Sequence, residues 1–335
     1  MLFGAFHICI WGQQGFRIAE LNTENFFDCT DDPKTEDNLF LSQSAKRWNR
    51  YRLWKKAQNI SKELISLGNG SPADIIVLTE IENDSIMILL TQKALLRRVG
   101  YKYIMTNSKD RRGIDVALLY QEGTFKPLVH QSIPVFLKAS KRPVFTRDIL
   151  YVQGVTYTGD TLHIYACHLS SKLGGKKKTE KYRIQELTSI KTHIEMVRRT
   201  DSDAKIIILG DFNENPEEEA ITSFVTQGTT SQETISPSGL YNMSSLTNSP
   251  HIIKGTYKYK GKWEILDQII VSGSLLDTKR NFHTQPAQFH IHAPKFILKE
   301  DNVYNGYMPF RTYNGYKYLG GYSDHLPIYI DFITR

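Results

Sequence analysis

Lys205 to Pro216 reads Lys-Ile-Ile-Ile-Leu-Gly-Asp-Phe-Asn-Glu-Asn-Pro, an apolar run of four residues, β-branched at three of them, that gives way to polar chemistry. The run fits a short strand buried on both faces, and Gly210 lets the chain turn sharply where that strand leaves its sheet. Asp211 and Asn213 then stand one residue apart, on the same side if the backbone stays extended. A carboxylate beside a carboxamide can hold a water or a hard cation with one group and donate a hydrogen bond to an anion with the other. The same residue types dominate Asx-type turns, so this stretch alone leaves both readings open.

Other apolar runs end in the same way. Phe16 to Leu21 leads into Asn22-Thr23-Glu24-Asn25, Asp74 to Thr79 leads into Glu80, and Thr161 to Cys167 leads into His168. Asp267 lies near the start of the strand read over 265–271, and Ser323-Asp324-His325 opens the last strand, read as His325 to Phe332. Such groups are expensive to bury without partners. Gathered at one rim, they make an acidic, oxygen-rich pocket with two histidines, suited to a divalent cation and a phosphate.

The elements between these ends must bring them together. Leu53, Ala57, Ile60, Leu64 and Leu67 form the stripe of an amphipathic helix read over Trp48 to Leu67, stopped by Gly68-Asn69-Gly70-Ser71-Pro72. Helices are also read over Ile86 to Val99, capped by Gly100, and over Lys178 to Arg199. Further strands are read at 101–105, 116–120, 148–157 and 255–260, with hairpin turns at Tyr157 to Thr161 and at Gly261-Lys262. Residues 280–322 are aromatic and irregular, and few elements are assigned there. Strands outnumber helices and several neighbours are joined by hairpins, which predicts an α/β sandwich of two mixed, mostly antiparallel sheets with helices outside.

At 335 residues, with 40% hydrophobic and 23% charged residues, the composition is that of a globular protein. No fixed-period repeat or linker-like tract divides it, so one domain over 16–335 is expected, acting as a monomer. A formal charge of +7 fits a polyanionic partner such as nucleic acid, or an anionic lipid surface. Part of that excess lies in Lys172 to Lys181, where Lys176, Lys177 and Lys178 are read as candidate phosphate contacts in a loop after His168. Cys9, Cys29 and Cys167 are too few for a disulfide scaffold and lack metal-ligand spacing. The apolar opening over 1–15 is too short to span a bilayer and has no basic n-region. It fits the remnant of an export signal whose start lies upstream, implying a periplasmic or extracellular protein. The alternative is a frayed N-terminus on a cytoplasmic one.

Taken in order, Leu21-Asn22-Thr23-Glu24-Asn25, Leu78-Thr79-Glu80, His168-Leu169-Ser170, Gly210-Asp211-Phe212-Asn213, Leu266-Asp267-Gln268-Ile269 and Ser323-Asp324-His325-Leu326-Pro327 resemble the motifs of the endonuclease/exonuclease/phosphatase superfamily. The resemblance runs from about Phe16 to Phe332. It implies a four-layered α/β sandwich and hydrolysis of a phosphoester, nucleic acid foremost, with Mg²⁺ or alternatively Mn²⁺. It further implies that Glu80 is the principal metal ligand, that Asn22 sits beside the metal, and that Asp324 is a second metal-side carboxylate. Asp211 resembles the group that positions or deprotonates the attacking water. Asn213 resembles the amide donating to the phosphoryl oxygen, and Asp267 the partner that orients His325. His168 matches a histidine of the deoxyribonuclease and sphingomyelinase branches that abasic-site endonucleases generally lack. Asp115 is read either as a partner of that histidine or as one end of a structural salt bridge. A lipid or small-molecule phosphoesterase would share this catalytic floor. A non-catalytic member would lose one or more of the motifs, and none is lost.

Overall fold

The computed structural model describes residues 15–335 apart from 69, 139–143, 227–234 and 247–252; the apolar opening over 1–14, with Cys9, lies outside the described residues. The chain enters with β1 (Phe16–Phe26), β2 (Ile75–Ile81), β3 (Lys102–Met105) and β4 (Asp115–Tyr120). It then lays down a second sheet of β5 (Phe125–Ile133), β6 (Ile149–Thr156), β7 (Thr161–His168), β8 (Lys205–Asp211), β9 (Leu240–Asn242) and β10 (Asp267–Ser272). It returns to the first with β11 (Phe282–His283), β12 (Phe289–Ile291) and β13 (Ile328–Thr334). The strand orders are β11-β13-β1-β2-β4-β3, with β12 also paired to β13, and β9-β10-β8-β7-β6-β5. Within each sheet one central pair is parallel, β1 with β2 and β8 with β7, and the other pairs are antiparallel.

Side chains alternate along a strand, so each sheet presents two apolar faces here. Ile18, Val77 and Leu118 from one sheet meet Ile164, Ile207 and Ile269 from the other in a core between the sheets. Helix α1 (Arg50–Ser66) covers the outer face of the first sheet, setting Ala57, Ile60 and Leu64 against Ile76, Leu78 and Leu119. A long helix (Lys176–Thr200) covers the second sheet with Leu187, Ile190 and Ile194 against Ile206 and Ile208. The result is helix, sheet, sheet, helix, in four layers.

Four readings are corrected. The helix expected over 86–99 is an α-helical turn, α2 (Asp84–Ile88), a π-helical turn (Leu89–Lys93) and a 3₁₀ turn (Leu95–Arg98) divided by extended Ala94. That break lets Leu90 and Leu96 enter the same core beneath the sheet. The strand expected over 265–271 is not the second arm of the Gly261 hairpin, because Tyr257–Tyr259 pairs with Lys262–Glu264 instead. Trp48, read as opening the first helix, precedes it and is buried, and Trp54 within that helix is 45% exposed. Strand β5 was not predicted; it is an edge strand, largely exposed, whose Pro127 breaks the pattern and is tolerated only at an edge.

Candidate active site

The second sheet contributes a row. Asp211 pairs in register with His168 on β7 and with Asp267 on β10, so three polar side chains sit abreast at one end of adjacent strands. Gly210 lies within β8 rather than at its end. Its φ of +148° and the Cys167 carbonyl oxygen, which would lie 1.8 Å from an added Cβ, exclude any other residue. Asn213 is left-handed (φ 51°), not extended, which overturns the same-side expectation. Its N–H donates to Asp211 Oδ1 (2.8 Å) and its side-chain amide to the Leu169 carbonyl (3.0 Å). The Asx-type turn and the polar site are therefore one object, and Asn213 keeps one amide hydrogen for another acceptor.

The first sheet faces this row with irregular backbone. Register slips in β1 after Asn22 and in β2 at Glu80, and Glu24, Asn25 and Glu80 all have φ between 51° and 60°. Bulges of this kind re-aim side chains. Asn22 Nδ2 donates to Asp211 Oδ2 at 3.0 Å, joining the two sheets. Ser323 Oγ donates to the Asn22 carbonyl, and the His325 N–H donates back to Ser323 Oγ (3.2 Å), which ties the last motif to the first. His325 Nδ1 is 2.7 Å from Asp267 Oδ2, and its ring packs on Tyr257 with centroids 4.9 Å apart. His168 Nε2 stands 3.5 Å from Asp211 Oδ2 and 3.9 Å from Glu80 Oε1. Glu80, Asp211, His168 and His325 thus share one buried pocket.

Burial and charge set the protonation of this pocket. Burial opposes the Glu80 carboxylate, but Arg112 (3.1 Å) and the Asn25 N–H prevail and hold it at about 2. Burial and repulsion from Asp267 push Asp211 up to about 7, against the pull of His325. His325 is also buried, yet Asp267 with Asp211 and Asp324 raises it well above its usual value. His168 moves the other way, held neutral by burial and by Arg147, whose guanidinium donates to the His168 and Leu169 carbonyls. Glu24, buried and close to Asp324, rises to about 7.

This surplus of acidic groups fits a cation. Among the described residues, donor atoms of Asp211, Asp267 and His325 converge within 4.8 Å. Buried Glu20 joins this cluster: burial and the charges of Asp267 and Asp211 raise it, and its carboxyl group hydrogen-bonds with Asp267. Oxygen-rich sets of this kind suit a hard divalent ion. Of the ligands the resemblance implies, Asn22 donates to Asp211 in this cluster. Glu80 is engaged by Arg112, and Asp324 lies 3.9 Å from Arg311. Two further expectations change. Asp115 accepts from Thr106 Oγ1 (2.6 Å) and the Ser108 N–H (2.9 Å), and among the described residues it pairs neither with His168 nor with a cationic side chain. Lys176 is ion-paired with Glu218 and opens the long helix, while Lys177 and Lys178 stay exposed in its first turn.

The profile of the endonuclease/exonuclease/phosphatase family matches residues 17–334. The chain belongs to that family. Membership makes it a phosphoester hydrolase, and the family generally uses a divalent metal. The fold is similar to the mannosyl-6-phosphatase of Bacteroides thetaiotaomicron, at 16% identity over 95% of this chain and 99% of that one (TM-score 0.59). It is similar to Caenorhabditis elegans TDP2 at 15% identity, over 96% and 98% (TM-score 0.57). The human Nocturnin catalytic domain with bound sulfate matches at 16% identity, over 96% and 95% (TM-score 0.54). No curated protein sequence matches significantly. No helix of the described residues is long and apolar enough to cross a membrane.

Within this family site, sequence reasoning missed Glu20, Glu24, Arg112 and Arg147. Glu20 carried a signal, being the one acid inside the apolar run Phe16 to Leu21 and in phase with Asn22. Glu24 accepts from the Thr312 (2.5 Å) and Tyr313 (2.9 Å) N–H groups, partners nearly three hundred residues away that no local pattern reveals. Arg112 gave no sign beyond lying in the stretch before Asp115.

Proposed function

We propose that this enzyme cleaves a phosphodiester of nucleic acid by in-line attack of water, with Mg²⁺ as the expected ion and Mn²⁺ as an alternative. The observation that carries the reading is the row of His168, Asp211 and Asp267, with His325 held on Asp267 and Glu80 facing them. Asp211, raised to about 7, is matched to taking a proton from water near neutral pH. His325, charged through Asp267, donates to a non-bridging phosphoryl oxygen, and the free amide hydrogen of Asn213 donates to another. His168, neutral and beside Asp211, would contact the phosphate or the leaving group. Glu80, with Asn22 and Asp324, would hold the cation, which supplies Lewis-acid neutralisation of the phosphoryl charge when bound. Lys177 and Lys178 stand exposed for neighbouring backbone phosphates.

A second reading, a sugar phosphomonoesterase, is favoured by the similarity to the mannosyl-6-phosphatase. A hydrolysis panel with and without EDTA separates the two. Plasmid nicking or oligonucleotide cleavage that needs Mg²⁺ supports the first; turnover of mannose 6-phosphate with intact plasmid supports the second.

A further inference from the structure

Near the pocket rim stands a lysine that the chemistry above does not use. Phe27, Phe40, Trp48, Ile114 and Tyr313 form a small apolar cluster of their own, outside the three main cores. Phe27 stacks on Phe40 with centroids 4.2 Å apart, Trp48 donates its indole N–H to the Phe27 carbonyl (3.0 Å), and Trp48 leans on Tyr313. The segment across this cluster is pinned at Lys46, whose carbonyl accepts from Tyr313 Oη (3.0 Å) and from the Arg52 guanidinium. The Lys46 side chain lies over two rings, its Nζ 4.3 Å from the Phe40 centroid and 4.9 Å from that of Tyr313. Tyr313 is also the residue whose N–H binds Glu24, so the seat of Lys46 is built onto the wall of the site.

The neighbouring cations are committed. Lys56 donates to Thr312 Oγ1 and the Tyr322 carbonyl, Arg112 binds Asn25 and Glu80, and Arg311 faces Asp324. No carboxylate among the described residues lies within ion-pair distance of Lys46 Nζ, although the fields of Glu24, Glu80 and Asp324 reach it while burial lowers its pKa. Aromatic faces hold an ammonium without using its three N–H donors. Such a cation, part-buried and rigidly seated, is prepared to receive an anion that arrives with the substrate.

We propose that Lys46 is a specificity-determining residue that binds a second phosphate of the substrate, next to the one being cleaved. The inference rests on the phosphoester reading of the pocket and narrows it to substrates carrying two neighbouring phosphates. These are either a nucleic-acid strand or a bisphosphorylated small molecule.

The probes are thymidylyl-thymidine with a 5′-phosphate, with a 3′-phosphate and with neither, and fructose 1,6-bisphosphate beside fructose 6-phosphate. Wild-type protein, Lys46→Met and Lys46→Arg are compared by steady-state kinetics in Mg²⁺ and by calorimetric binding in EDTA, with melting temperature as the check on folding. The expected result is a preference of roughly tenfold for one doubly phosphorylated probe, expressed in KM. It is lost in Lys46→Met and kept in Lys46→Arg. Which pair shows it tells nucleic acid from sugar phosphate. A preference that survives in Lys46→Met, an equal fall on all probes, or no preference in either assay overturns the proposal. If nothing is turned over but binding keeps a Lys46-dependent preference, the phosphoester reading falls and the anion subsite stands.

Discussion

Asp211 ends strand β8, His325 lies three residues before β13 opens at Ile328, and the two, 114 positions apart in the chain, are tuned by the same neighbour, Asp267. Asp211→Asn and His325→Ala are each expected to lower kcat by at least about a hundredfold with little change in melting temperature, since acid-base groups contribute roughly 10²- to 10⁴-fold. Stopped assays on the active substrate, with a melting curve of each variant, check this. Asp267→Asn tests the coupling through pH. Asp267 raises His325, so its loss lets burial pull that pKa down, and the alkaline limb of the pH-rate profile should move to lower pH. An unmoved limb would remove His325 as the proton donor. The sign for stability agrees. A histidine raised in the fold contributes stability that is complete below 6.5 and lost as pH rises through its folded value. Residues at the ends of apolar runs were legible because a charge there contradicts its surroundings. Lys46 and Arg112 were not, because a lysine or arginine in a polar stretch reads as solvated surface.

Helix α1 shows how elements carry buried charge as well as apolar packing. Glu63 is wholly buried, and among the described residues neither carboxylate oxygen has a hydrogen-bond partner. Burial pushes its pKa up to about 8, with Lys56 pulling it down and Glu24 adding to the rise. Below 4.5 folded and unfolded chains both hold this proton. Between 4.5 and about 8 only the unfolded chain releases it, so stability falls with rising pH across that window and levels off above it. Glu63→Gln should therefore stabilise the protein by about 2 kcal/mol or more at pH 8 and by little at pH 4.5, read from denaturant melts. A gain independent of pH would contradict the buried, protonated carboxyl. At this scale α1 was legible in its apolar stripe of Leu53, Ala57, Ile60, Leu64 and Leu67. The helix expected over Ile86 to Val99 is broken instead, because burial of Leu90 and Leu96 on one core outweighs local propensity at Ala94.

The whole molecule is two sheets whose polar ends meet at one rim, and the fold repeats that arrangement from the parallel pairs outward. The order of six short motifs made the sandwich legible. What lay beyond reach was the support behind them: the positive-φ bulges at Glu24 and Glu80, the Thr312 and Tyr313 N–H groups on Glu24, and the short hairpins over 298–318. These depend on contacts across hundreds of residues, which periodicity does not encode. The most direct test is hydrolysis of an oligonucleotide by the purified protein, stripped with EDTA and then given Mg²⁺, alongside Asp211→Asn. Activity that disappears on stripping, returns with Mg²⁺ and is absent from Asp211→Asn is predicted. Cleavage that persists in EDTA, or that Asp211→Asn retains, would contradict the central claim that this rim is where phosphoester hydrolysis takes place.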